Sequence, residues 1–299
     1  MGQKRLQSTV SPQAATSTVD TVCEPAGSTA SSYYETQARR IWRRFLRHRM
    51  AVIGGCVVVA LLLMAILAPI LSPHDPLDLD TQRRFISPLE TVTFPLGTDE
   101  MGRDVLSRLL HGGRISLVVG IAAMFATIVT GMAIGLISGF YGGRIDTLLM
   151  RFTDTMLCFP QVFLLLVLAA FVTPTVVSIA LIIGFTSWME VARIIRAQIQ
   201  YIKEQDFIQA AHALGASESR IMFRELLPNA VAPVMVSATL NVANAVLMES
   251  YISFLGYGIQ PPLASWGNML TNAQSYFDLA PWLAILDRKS TRLNSSHYS

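Results

Sequence analysis

"ISLVVGIAAMFATIVTGMAIGLISGF", Ile115–Phe140, runs for 26 residues without one charged side chain. A helix rising about 1.5 Å per residue covers the roughly 30 Å hydrocarbon core of a bilayer with such a run. Within it Gly131, Gly135 and Gly139 stand four apart, in two overlapping G-x-x-x-G steps. Glycines at that spacing share one helical face and admit another helix backbone closely, so they point to helix packing.

Four more uncharged runs follow the same logic: Met50–Leu71, Thr155–Val172, Thr175–Met189 and Ala230–Met248. The first and last are of span length. The middle two are shorter, separated only by Thr173 and Pro174, which fits a tight outer turn. Pro160 is expected to kink or loosen the third span. The reading is five spans in an all-α, polytopic transmembrane helix bundle. Composition agrees: of 299 residues 52% are hydrophobic and 14% charged, against about 25% charged in ordinary soluble domains. A net charge of +3 gives no case for nucleic acid. Cys23, Cys56 and Cys158 lie far apart and suggest neither a disulfide framework nor a metal site.

Residues 1–38, rich in Ser, Thr, Gln, Ala and Pro, read as a disordered tail. "RRIWRRFLRHR", Arg39–Arg49, then places six arginines directly before the first span. Because basic residues gather in cytoplasmic loops, this predicts a cytoplasmic N-terminus. Residues 39–72 form the basic segment and first span, 73–114 a periplasmic loop, and 115–285 the core. In the periplasmic loop "GTDEMGRDVLSRLLHGGR", Gly97–Arg114, predicts a turn at Gly97, an N-cap at Asp99, a short helix and a stop at Gly112-Gly113.

The fifth span carries Ser237, Asn241, Asn244 and Met248 on one face. Polar groups avoid lipid, so these are candidate pore-lining residues or interhelical hydrogen-bonding groups. Glu190 and Glu249 fall at span ends, where water can solvate a carboxylate.

One cytoplasmic loop is unlike the rest. In "QAAHALGASESRIMFRELLPN", Gln209–Asn229, a helix-prone stretch from Asp206 to Leu214 puts Ile208, Ala211 and Leu214 on one side. Gly215 suits the left-handed position that ends a helix. Ser217 can cap a second helix with Glu218 in its first turn, and Pro228 is expected to end it. A hairpin of this kind, at about 205–228, is suited to docking in a groove of another protein.

That segment resembles the EAA loop of permease subunits in bacterial ABC importers: Glu-Ala-Ala, three residues, Gly, then nine residues leading to Ile-x-Leu-Pro. Here Gln209, Ala210, Ala211, Gly215, Leu227 and Pro228 match in position; Gln209 replaces the Glu and Glu225 the Ile, with Leu226 beside it. "PLGTDEMGRDVLSRLLHGGRISL" (Pro95–Leu117) and "SFLGYGIQPPLASWGNML" (Ser253–Leu270) are similar to the C-type permeases of dipeptide, oligopeptide and nickel importers.

The resemblance, from about Arg39 to Ile285, implies a type I ABC importer permease with six spans, in the bacterial inner membrane. It implies a homologous second permease, two separate ATPase subunits holding ATP and Mg, and a periplasmic or lipid-anchored binding protein. Asp206, Gln209, Ala210, Ala211, Leu214, Gly215, Leu227 and Pro228 would then couple to the ATPase. Cargo could be peptide, nickel or glutathione. The chain itself has no G-x-x-x-x-G-K-[ST] loop, so it is expected to be no enzyme and to bind no cofactor. An ion-coupled secondary transporter would need ionisable groups inside the spans, and the five runs contain none. A membrane scaffold without transport activity is the other rival. After "APWLAI" the chain reads "LDRKSTRLNSSHYS", Leu286–Ser299, polar and aperiodic. Residues 286–299 therefore read as a frameshifted or foreign tail that truncates the sixth span.

Overall fold

The computed structural model describes residues 46–283. The 1–38 tail, most of the arginine-rich segment and the 286–299 tail lie outside them. The chain divides into two units, 1–53 and 54–299; the second holds every contact discussed below. Its elements are helical, and the described residues hold one isolated bridge, Thr98 with Asp104.

In chain order the helices are α1 (Arg49–Leu71), α2 (Val105–Tyr141), α3 (Gly143–Leu157), α4 (Gln161–Phe171), α5 (Val176–Lys203) and α6 (Asp206–Ala213). Then come α7 (Glu218–Arg220), a π-helical turn (Ile221–Leu226), α8 (Leu227–Asn229), α9 (Val231–Phe254) and α10 (Trp266–Ser275). Four of these, α1, α2, α5 and α9, are long and apolar enough to span a membrane, and α3 with α4 counts as a fifth only as a bent pair.

That pair corrects the third span. Pro160 does not merely kink a helix: α3 and α4 meet at 86°. Proline lacks an N–H and pushes the residue before it out of the helical region, so α3 stops at Leu157 and Pro160 stands as the N-cap of α4. With 11 residues, α4 is about 16 Å long, too short to cross the hydrocarbon alone.

α2 starts ten residues before the uncharged run does. Its N-cap is Asp104, not Asp99, with the carboxylate accepting the N–H of Leu106 and of Ser107, both at 3.2 Å. Asp99 instead closes the preceding loop, accepting the N–H of Met101 and of Arg103 at 2.9 Å. The same carboxylate pairs with Arg103 at 2.7 Å and Arg108 at 3.4 Å. Nor do Gly112 and Gly113 stop the helix. A β-carbon on Gly113 would lie 2.9 Å from the Trp266 ring, so glycine is needed there to seat α10, and the helix passes straight through.

α2 and α5 form the central packed pair. A β-carbon on Gly131 would lie 2.7 Å from Val191 Cβ, one on Gly135 2.6 Å from the Ala192 carbonyl, and one on Gly139 2.9 Å from Ile199 Cβ. All three glycines therefore face α5 of the same chain. α3 is braced to α5 by ion pairs: Arg196 donates to both Asp146 carboxylate oxygens, at 2.5 and 2.6 Å, and Arg193 pairs with Asp154. Two buried apolar groups fill the bundle. One joins Leu136, Ile195 and Ile199 to the α6–α8 region; the other gathers Val119, Ala123, Ile179, Ile183 and Ala245.

Candidate functional site

The hairpin between α5 and α9 grows out of the first of these cores. α5 continues beyond its apolar run to Lys203, whose ammonium donates to the Phe140 carbonyl at 2.6 Å and so closes the C-terminal end of α2. Gln205 then takes an extended backbone (φ −74°, ψ 146°) and the chain turns into α6. Asp206 occupies the first turn, where a carboxylate complements the helix dipole.

Ile208 is fully buried in a cluster with Ile199, Ile202, Ile221, Met222 and Leu226, and Ala211 packs against the same group. Asp206, Gln209 and Ala210 are exposed, with the Gln209 amide donating to the Glu204 carbonyl at 3.2 Å. α6 thus has an inner face fused to the bundle and an outer face left open.

Leu214 corrects the expected stripe: it is 88% exposed. α6 ends at Ala213, and Leu214 sits at the C-cap with φ −79° and ψ 3°, off the helical path that would bring it over Ile208. Gly215 has φ +77°. Its N–H bonds to the His212 carbonyl at 2.9 Å, and that of Ala216 to the Ala211 carbonyl at 3.1 Å. This is the double closure of a Schellman cap, with Ala216 and Ala211 as its apolar contact. A β-carbon on Gly215 would meet nothing within 4 Å, so backbone conformation alone calls for glycine.

The second arm departs from expectation twice. Ser217 stands at the N-cap of α7 but makes no capping bond. Pro228 does not end the arm either, because the chain stays helical through it, by way of the π turn and α8. A π turn bonds i to i+5 and holds one extra residue. In an α-helix Leu226 would lie about 140° round the axis from Ile221; the wider turn carries it back, and Ile221, Met222 and Leu226 are all buried. The Asn229 amide takes up the Glu225 carbonyl at 2.6 Å, next to the place where proline supplies no N–H. Leu227 is half-buried and Pro228 exposed.

Replacing Ile208 by alanine removes the only buried side chain of α6. By the range for large-to-small core changes this should cost about 2–5 kcal/mol. We expect faster amide exchange confined to residues 204–216, as the outer arm loosens while the spans stay protected.

On α9 the candidate pore residues are unequally placed. Ser237 is buried, Asn241 is half-buried and donates to the Ser237 carbonyl at 2.8 Å, Asn244 is exposed, and Met248 packs against the second core. The stripe is one face in projection, but its surroundings change along the helix. Glu190 is exposed, but it stands midway along α5 rather than at a span end, because the helix continues to Lys203. Glu249 is not exposed: it is fully buried, between Ser116 and Ser253. α9 extends to Phe254, so an ionisable group does lie inside a candidate span, and the absence of such groups can no longer be used against ion coupling.

No group of metal-ligating side chains occurs among the described residues. Residues 131–286 match the family described as binding-protein-dependent transport system inner membrane component, and residues 36–88 match the N-terminal TM domain of oligopeptide transport permease C. The chain is 39% identical to the oligopeptide transport system permease protein OppC of Escherichia coli K12, over 85% of this chain and 86% of that protein. It is 33% identical to the dipeptide transport system permease protein DppC of Alkalihalophilus pseudofirmus, over 83% and 81%. With the di/tripeptide transport system permease protein DppC of Pseudomonas aeruginosa the identity is 34%, over 86% of each.

Proposed function

The chain belongs to the binding-protein-dependent transport inner-membrane component family of multi-pass ABC-importer permeases, and from that premise we propose that it forms half of a peptide pore moved through the α6 hairpin. A homologous permease supplies the other half. Two ATPase subunits carry the ATP and Mg, and a binding protein delivers di- or oligopeptides from outside. This chain holds no cofactor and performs no hydrolysis.

The observation that carries the reading is the division of α6 into two faces. Ile208 is locked into the core that α2, α5 and α9 share, while Phe207 and Leu214 stay open on the other side. Force applied to the open face passes into the spans through the buried Ile208. An ATPase that grips this face differently in its open and closed forms would bias the bundle between two states. Asp206, Gln209, Ala210, Leu214 and Gly215 form the gripped side, while Ala211, Leu227 and Pro228 back it. Gln209 presents an amide in place of the family's carboxylate, so its contact is a neutral hydrogen bond. The six arginines of 39–49 favour a cytoplasmic N-terminus, which puts the hairpin on the ATPase side.

Peptide is favoured over nickel or glutathione because the similar proteins are named for peptide transport. Proteoliposomes holding both permeases and both ATPases test this. Uptake of a labelled dipeptide or pentapeptide should require ATP inside and binding protein outside. Uptake driven by an ion gradient without ATP would instead identify a secondary transporter, and ATP-driven uptake of nickel alone would overturn the peptide assignment.

A further inference from the structure

Glu249 is fully buried, yet both of its carboxylate oxygens are engaged. Ser116, on α2, donates its hydroxyl to Oε2 at 2.7 Å, and Ser253, one turn along α9, donates to Oε1 at 2.6 Å. Each hydroxyl in turn accepts a backbone N–H, one from the segment joining α9 to α10 and one from the first residue of α10. Ser253 Oγ takes the amide of Ile259 at 3.1 Å, and Ser116 Oγ takes that of Trp266 at 3.3 Å. Ser116 and Ser253 are themselves buried. One carboxyl group therefore organises two hydroxyls, and these hold two well-separated amides.

The carboxyl group is what aims the hydroxyls. A helical serine ordinarily bonds back to the carbonyl four residues earlier, which turns its lone pairs away from neighbouring elements. With Glu249 as acceptor, both protons point at the carboxylate and a lone pair on each oxygen faces its amide. The fit around it is tight: a β-carbon on Gly267 would lie 2.6 Å from Ser253 Cβ, and Thr271 donates to the Phe254 carbonyl at 2.9 Å. A capping box between Ser265 and Asn268 starts α10 directly behind the held amide of Trp266.

We propose that Glu249 is a positioning residue that fastens the segment from Leu255 to Ser275 to α9 and α2, so that any displacement of α9 carries α10 with it. The proposal rests on the reading above in one respect, that α9 moves during transport. It gives a fully buried carboxylate the task of holding α10 in step with α9 and α2. A glutamine puts an NH2 donor where one carboxylate oxygen was, so it accepts at one end only and keeps one arm. An alanine keeps neither.

The test uses the full complex in lipid nanodiscs, with spin labels at the exposed positions Leu240 of α9 and Gln274 of α10. The unsubstituted protein should give one narrow distance distribution. Glu249→Ala should broaden it most, and Glu249→Gln, Ser116→Ala and Ser253→Ala should each broaden it partly. Adding Ser116→Ala to Glu249→Ala should change nothing further, as expected of groups acting as a unit. Dipeptide uptake by Glu249→Ala should fall at least about ten-fold with basal ATP hydrolysis kept. A distribution as narrow in Glu249→Ala as in the parent overturns the proposal, and so does a broadened one with full uptake. Should Glu249→Ala fail to assemble, the two serine variants decide by the same measurement. Absence of uptake by the parent protein in matched vesicles would strike the peptide-pore reading and leave the distance result standing.

Discussion

Gly135→Leu is expected to yield no stable folded chain, and Gly135→Ala a chain with a lowered melting temperature. The α2–α5 pair leaves no room at this point. A single methyl would lie 2.6 Å from the Ala192 carbonyl oxygen, 2.8 Å from Ile195 Cβ and 3.1 Å from the Arg196 amide. Two of those atoms belong to the α5 backbone, so no rotamer change relieves the contact. Overpacking a core commonly costs about 1–3 kcal/mol, more where backbone must shift, and whole domains are stable by only about 5–15 kcal/mol. Leucine adds three further carbons and has to drive the helices apart. That would also spread Gly131 and Gly139 from their partners and strain the Arg196–Asp146 brace one residue beyond Ile195. Gly54→Ala is the control, because nothing lies within 4 Å of that position; it should be neutral. Size-exclusion profiles and thermal melts of the four proteins in one detergent would check the series. A monodisperse Gly135→Leu with the parent's melting temperature would show that α2 and α5 do not approach as described.

Gly215→Val should leave assembly intact and bring ATP-driven uptake close to background. The reasoning is the reverse of that at Gly135: there is space around Gly215 but its φ is +77°. An L-residue in the left-handed region costs about 1–2 kcal/mol, and a β-branched one fits worst. The cheapest relief is to undo the double closure that ends α6. That releases Ala216 from Ala211 and shifts Leu214, the most exposed apolar group of the hairpin. Because Ile208 and Leu226 stay buried, the spans should fold normally. Asparagine tolerates the left-handed region, so Gly215→Asn should recover much of the lost uptake. Uptake by Gly215→Val equal to the parent's, in membranes holding equal amounts of complex, would contradict a mechanical role for this turn.

Much of this was legible in the residues because the signals were local. The uncharged runs other than Thr155–Val172 mark helices, the glycines four apart mark the packed face, and Gly215 marks the turn with its sign of φ. Misreadings arose where a distant partner, or a local turn without a sequence signal, decided the outcome. Gly112-Gly113 looks like a helix stop until Trp266 is seen to need the space. Asp99 and Asp104 are equally good caps by type, and only the loop that Asp99 closes around Arg103 separates them. Pro228 reads as a terminator because nothing in the sequence announces the π turn that accommodates it. Spacing puts Leu214 on the side of Ile208 and Ala211, although the helix ends one residue too soon for the spacing to hold. Glu249 reads as a wetted span-end carboxylate because Ser116, its partner 133 residues away, carries no signal of its own. A serine on an apolar helix is simply too common to mark a site.

The central claim is that an ATPase on a separate polypeptide grips the open face of α6, and site-directed crosslinking at Leu214 tests it most directly. Cys56 and Cys158 are exposed and would first be replaced by serine, together with Cys23. Leu214→Cys, labelled with a benzophenone maleimide and illuminated in membranes actively importing peptide, should join this chain to the ATPase subunit, in a yield that changes between ATP-bound and nucleotide-free conditions. Crosslinks that capture lipid or a second permease but never the ATPase, while uptake proceeds, would contradict it.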